Sequence, residues 1–245
     1  MIVEGLTTTD AALVAAVALI AGMMRGFTGF GAALMLAPVL AYAVGPRAAI
    51  PAILIVMLVT SVQLVPRAWK STNWSVVTPL AVGGSIGVPL GAWLLISIDP
   101  ELMRRGISLT VIVLALLMLA GWRYRGQVRA SVAAMVGVMG GFISGAAAAG
   151  GPPVILFLLS GPENAARNRA AIIMYFALVQ VAAFVVYAVA DLITLQTVLL
   201  SLPMIPTIVI GTWLGERLFG KASETLYRRI ALVVLLAIGL STLFA

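Results

Sequence analysis

No cysteine and no histidine occur among the 245 residues. Their absence removes disulfides, thiol chemistry, thiolate or imidazole metal sites, and any histidine acid–base role. Charge is scarce as well: 9% of residues are charged, against roughly 25% in ordinary soluble domains, while 62% are hydrophobic and mean hydropathy is +1.16. That composition describes a polytopic membrane protein with no polar stretch long enough to fold as a separate aqueous or catalytic domain. All eight acids, Glu4, Asp10, Asp99, Glu101, Glu163, Asp191, Glu216 and Glu224, fall at or near the ends of apolar segments, so no buried carboxylate of the proton-relay type is evident. Asp10, Asp191 and Glu216 come nearest to exceptions. P-loop, nucleophile-elbow and paired-acid metal motifs are missing too. We therefore expect neither an enzyme nor an ATP-driven pump, and no cofactor. The net charge of +7 does not point to nucleic acid, because the cations lie between apolar segments, where they set topology. The first ten residues carry Glu4 and Asp10 without a cation, unlike the n-region of a cleavable signal peptide, so the first apolar segment is expected to be retained.

What is present is a sequence that repeats itself. Apolar segments run at about 11 to 24, 32 to 44, 48 to 65, 75 to 97 and 106 to 122, then again at about 130 to 143, 152 to 160, 170 to 190, 194 to 215 and 229 to 245. Gly22, Gly26-Phe27 and Pro38-Val39 match Gly137, Gly141-Phe142 and Pro153-Val154 at one offset of 115. Downstream, Arg47-Ala48-Ala49-Ile50 matches Arg169-Ala170-Ala171-Ile172, Gly91, Trp93 and Leu94 match Gly211, Trp213 and Leu214, and Leu102, Arg104 and Arg105 match Leu226, Arg228 and Arg229. Four anchors in one order indicate duplication, dividing the chain into residues 1–126 and 127–245 near Gln127.

The expected fold is all-α and polytopic: two inverted-topology repeats, each a broken or re-entrant helical hairpin followed by three transmembrane helices. A spanning helix needs about 20 residues, and the two segments flanking each glycine motif are shorter. We read them as a hairpin with its tip near the midplane; crossing by both segments would add two passes and leave every other orientation unchanged. An odd number of crossings per repeat turns the second repeat upside down. With both termini outside a bacterial-type cytoplasmic membrane, Arg67, Lys70, Arg123, Arg125, Arg129, Arg167, Arg169, Arg217, Lys221, Arg228 and Arg229, eleven of fifteen cations, face the cytoplasm. Arg47, Arg104 and Arg105 then lie outside. Trp69, Trp74 and Trp122 lie at segment ends as interfacial anchors.

Glycine clusters inside membrane-grade sequence imply backbone broken at membrane depth, which is tolerated only where protein or a water-filled cavity covers it. The first tip is Gly26-Phe27-Thr28-Gly29-Phe30-Gly31; the second is Gly141-Phe142-Ile143-Ser144-Gly145, with a helix start at Gly150-Gly151-Pro152-Pro153. Each tip is expected to offer four free amides and a positive helix end to one shared anion. Ala146 replaces the last glycine of the first motif and the following alanines shift the second helix start, so the two tips are not equal partners. The competing use of these glycines, as of Gly83-Gly84 and Gly87, is close helix packing. Arg25 precedes the first motif, and its counterpart is Gly140. An unduplicated arginine at that depth is a candidate counter-charge, or else caps the end of the first helix or snorkels to the surface. Thr28 and Ser144 offer hydroxyls, which can equally bond their own backbone. Gln63, Tyr175, Gln180 and Asn168 need polar partners within or beside spans and serve either substrate or helix-to-helix bonds. Phe27, Phe30 and Phe142 could wall the cavity.

These motifs, with the duplication and the length, resemble the TauE/SafE family of membrane permeases, associated with export of sulfite and organosulfonates. The resemblance covers essentially the whole chain and rests most on Gly26 through Gly31 with Pro38, and on Gly141-Phe142 through Gly151-Pro152-Pro153. It implies a small sulfur-containing anion as substrate. The leading expectation is a secondary transporter that exports sulfite or an organosulfonate by alternating access. A proton- or sodium-coupled importer of a sulfonate or other organic anion, an anion channel and a non-transporting scaffold are the alternatives. Expected partners are the anion and the lipid bilayer, with homodimer formation open and nucleic acid excluded.

Overall fold

The computed structural model describes residues 8–103, 105, 106, 109, 113, 116, 129–148, 150–161, 163–220 and 233. Apart from isolated positions, the expected spans at 106 to 122 and 229 to 245 lie outside the described residues, as do Glu4, Arg104, Trp122, Arg123, Arg125, Lys221, Glu224, Arg228, Arg229 and the boundary at Gln127. Every regular element among the described residues is a helix: α1 (Thr8–Thr28), α2 (Ala32–Val44), α3 (Pro46–Ser71), α4 (Trp74–Ser97), α5 (Ala130–Ala147), α6 (Gly151–Leu159), α7 (Ala165–Val189), α8 (Leu195–Ser201) and α9 (Met204–Phe219). Four of them, α3, α4, α5 and α7, are long and apolar enough to cross a membrane, or five spans if α8 and α9, bent by 45°, count as one. The bend falls at Pro203, which has no N–H to continue the ladder.

The first break occurs where the glycines sit. Gly29 and Gly31 adopt φ values of 87° and 92°, in the left-handed region, and end α1 and start α2. The second break is displaced from the motif. α5 runs unbroken through Gly141, Phe142, Ser144 and Gly145, and ends at Ala148, whose φ is 54°. Proline pairing at Pro152-Pro153, inside the first turn of α6, makes the new start. The expectation of a tip at Gly141 to Gly145 is therefore corrected: those glycines lie on a helix face.

Their use is packing. Gly137, Gly141 and Gly145 recur every fourth residue and so share one face of α5, as Gly83, Gly87 and Gly91 do on α4. A Cβ at Gly141 would strike the Gly84 backbone, one at Gly145 the Val88 carbonyl, and one at Gly87 the Val138 carbonyl. The partner numbers rise together, so α4 and α5 run parallel, backbone against backbone. α1 and α9 repeat the arrangement: Gly22 and Gly26 face Ile208 and Thr212, while Gly211 and Gly215 face Leu19 and Met23, again in parallel. Each pair joins the first half of the sequence to the second. Between them α3 and α7 cross the centre, with Ile50, Ile53, Met57, Tyr175 and Tyr187 almost wholly buried.

At the ends, polar side chains tie loops together. Asn73 and Arg167 both donate to Glu163, and the Asn73 amide first, then Arg167, hold that carboxyl below the usual carboxylate range. Glu216 pairs with Arg67 at 2.9 Å, so one of the three acids nearest to exceptions is half of an ion pair whose other member is exposed.

Candidate functional site

Arg25 lies 97% buried, in the last turn of α1, with a relative exposure of 3%. Its Nη2 donates to the Met57 carbonyl at 3.2 Å and to Ser61 Oγ at 2.7 Å, both on α3. Ser61 Oγ in turn donates to Gln180 Oε1 on α7 at 2.7 Å. Arg25 Nε has no partner, and no carboxylate is paired with Arg25 among the described residues. A buried unneutralised charge costs several kcal/mol, more than the roughly 1.5–3 kcal/mol that a hydrogen bond to a charged group returns. Both earlier assignments of Arg25 as a cap or a snorkelling group give way: it turns inward, against α3.

The capping role belongs to another arginine. Arg169, in the first turns of α7, donates to the carbonyls of Gly26 and Phe27, the latter at 3.1 Å, and its guanidinium sits 4.5 Å from the centre of the Phe219 ring. Those carbonyls end α1 and have no intrahelical acceptor duty left. Arg169, expected to face the cytoplasm, is buried against the end of α1 and not a solvent-exposed anchor; α7 begins at Ala165, five residues before the apolar run. Arg47, matched to Arg169 in the sequence, reaches a helix end too, donating to Ile96 O at the close of α4.

Arg25 faces a cavity of about 50 Å³ lined from both halves of the sequence. The first break contributes Phe30 and Gly31, the second Ala148 and Gly151, α3 the Ile50, Ile53 and Met57 face, and α7 Gln180 and Tyr187. Ser144 lines it from α5. On this scale a single water needs about 10–15 Å³, so the space suits a small ion. A second cavity of about 210 Å³, at the far end of α6, is larger, but its cation, Arg167, already has Glu163 as partner. Only the first presents an unneutralised charge.

The other expected site residues divide. Thr28 bonds the carbonyls of Met24 and Phe30 and serves the turn. Phe27 is buried edge-on against Phe219, away from the cavity. Phe142, at 37% exposure, is not among the residues that line the cavity beside Arg25. Gly26, Gly141 and Gly145 pack helices, and Gly29 faces Arg169 and Ile173. A Cβ at Gly150 would collide with the Gly140 carbonyl and Ser144, and one at Gly140 with Tyr175 Oη and Val154 Cγ2. Tyr175 donates to Gly137 O at 3.3 Å, and Asn168 to Glu163 O at 3.0 Å. Gln63 lies off the cavity with its Oε1 buried and without a partner. The amide count is corrected as well: Pro152 and Pro153 have no N–H, so the first turn of α6 offers fewer donors than α2, where Ala32, Ala33 and Leu34 follow Gly31.

Ser61 and Tyr187 were not anticipated. Tyr187 donates to Gly145 O at 2.6 Å and lines the cavity. A signal existed, because Ile50, Ile53, Leu54, Met57 and Ser61 lie on one helical stripe of α3, and Phe176, Gln180, Ala183 and Tyr187 on one stripe of α7.

The family model described as "Sulfite exporter TauE/SafE" matches residues 14–242, nearly the whole chain. No curated protein and no solved structure matches it.

Proposed function

The chain belongs to the TauE/SafE sulfite exporter family, and from that premise we propose that it is a secondary transporter carrying sulfite or a small organosulfonate outward through the cavity beside Arg25. The observation that carries this is the buried guanidinium, without a carboxylate partner among the described residues, on a small cavity assembled from two broken-helix regions. An anion there would supply the missing counter-charge, and the dipole of α2 starting at Gly31 favours the same sign.

The proposal includes two inverted repeats exchanging access around this point, with both termini outside the inner membrane. It is supported by the parallel pairings: α1 runs with α9 and α4 with α5, as continuous alternation of crossings would require of an inverted duplication. We assign the glycine-locked pairs the role of rigid scaffold. The short α2 and α6, of 13 and 9 residues, are the parts that rearrange. Export suits an inside-negative membrane, which drives a monoanion outward by about 2.3 kcal/mol per 100 mV without a coupling ion.

The test is flux of radiolabelled sulfite and methanesulfonate from proteoliposomes under an imposed potential, for the wild-type protein and for Arg25→Gln. Saturable efflux that exchanges internal for external anion, and that falls at least about tenfold in affinity in the variant, supports the proposal. Non-saturating flux would make the protein a channel, and no flux of either anion would remove the assignment.

A further inference from the structure

The direction of the hydrogen bonds around Arg25 determines what the cavity presents. Arginine only donates. Ser61 Oγ accepts from Arg25 Nη2 and gives its own hydrogen to Gln180 Oε1, 2.7 Å away. Gln180 therefore turns its Oε1 toward Ser61. Its Nε2 is left with two hydrogens, no accepting group among the described residues, and a place on the cavity wall. Tyr187 uses its hydroxyl hydrogen on Gly145 O.

We infer that the Arg25–Ser61–Gln180 chain makes a donor-dominated head that binds oxyanions with no acidic hydrogen, so that sulfite is taken as the fully deprotonated ion and bisulfite is rejected. This rests on the exporter assignment above and deepens it by naming the protonation state of the substrate. A trigonal sulfonate or sulfite headgroup presents three acceptor oxygens to a wall that carries the Arg25 guanidinium, the Gln180 side chain and the start of α2 at Gly31, Ala33 and Leu34. A protonated oxygen would point its hydrogen at donors. Gln180 is then a specificity-determining residue, and Ser61 a positioning residue that prevents the amide from flipping. Among the described residues lining the cavity from α1, α2, α3, α5, α6 and α7, Arg25 is the only charged group and Tyr187 the only other one that titrates, so this lining holds no carboxylate to supply pH dependence.

The experiment measures affinity of purified protein for sulfite and for methanesulfonate across the pH range in which bisulfite loses its proton. Methanesulfonate stays ionised throughout. Expected is a flat profile for methanesulfonate and a sulfite affinity that falls about tenfold per pH unit below the bisulfite pKa, following the deprotonated fraction. A flat or acid-favoured sulfite profile overturns the inference and leaves the exporter assignment standing, whereas binding of neither anion at any pH removes that assignment first. Gln180→Glu supplies a second arm: its carboxylate still accepts from Ser61 but turns an acceptor to the cavity. Methanesulfonate affinity should drop by about a hundredfold, the order of one lost charge-assisted contact. Unchanged affinity in a folded variant would sink the inference, and the wild-type profiles decide the matter if the variant does not fold.

Discussion

At the scale of single residues, two arginines near one another do different work because of what surrounds them. Arg25 meets one carbonyl and one hydroxyl and keeps an unpartnered Nε; Arg169 covers carbonyls at a helix end and lies over an aromatic ring. Arg169→Gln should therefore act on stability, lowering it by about 2–3 kcal/mol through loss of the charge-assisted cap. Thermal unfolding in detergent, with hydrogen exchange over residues 26 to 30, would reveal it, and the Arg25→Gln variant should leave that protection in place. Gly29 makes a separate prediction. At φ 87°, with a Cβ that would lie 3.2 Å from Ile173 Cγ1, Gly29→Ala should destabilise by about 1–2 kcal/mol, since the left-handed conformation alone costs an L-residue that much. An unchanged melting temperature would show that the turn relaxes freely. In the sequence Arg25 stood out through its missing twin, while Arg169 did not, because a charge at the edge of an apolar run is ordinarily a surface anchor. How far α7 extends decides which it is, and that extension lies in residues of unremarkable polarity, Ala165 to Asn168.

At the scale of elements, the same glycine spacing serves two purposes. On α5 and α4 the four-residue repeat makes a flat strip on which backbones meet, whereas at Gly29 and Gly31 two closely spaced positive-φ residues break a helix. The four-residue rhythm of Gly137, Gly141 and Gly145 is legible in the sequence, yet Gly141-Phe142 is identical to the Gly26-Phe27 that precedes a true break. What separates the cases is the residue after the cluster: the first motif ends at Gly31, and the second continues into Ala146 and Ala147, which sustain a helix. Gly145→Val should consequently cut the yield of folded protein as severely as flux, by pushing α5 from Val88. Size-exclusion profiles of membrane extracts beside transport assays would separate the effects, and a folded but inactive Gly145→Val protein would restore a direct role at the site.

At the scale of the whole molecule, the proposed orientation and driving force can be measured on the native background. With no cysteine in the chain, single substitutions report exposure directly. Lys70→Cys should react with an impermeant thiol reagent only after permeabilisation, and Asp99→Cys in intact cells; the opposite pattern would invert the proposed topology. If sulfite leaves as a doubly charged ion, each 100 mV drives it with about 4.6 kcal/mol, against about 2.3 for methanesulfonate, and its steady-state gradient should be the square of the other. Composition and hydropathy by themselves determined that this is a multi-helix membrane protein, since 62% apolar residues have no other stable solvent. The glycine and arginine positions located the first break and the buried charge, because those residue types are costly in lipid unless used. Only the tertiary structure decided that Arg25 joins Ser61 and Gln180, 36 and 155 residues away in sequence, that Arg169 rather than Arg25 caps α1, and that the second glycine motif is a packing face. Such outcomes depend on which helix faces meet across the two halves, and helix-to-helix partnership is written in no local stretch of the chain.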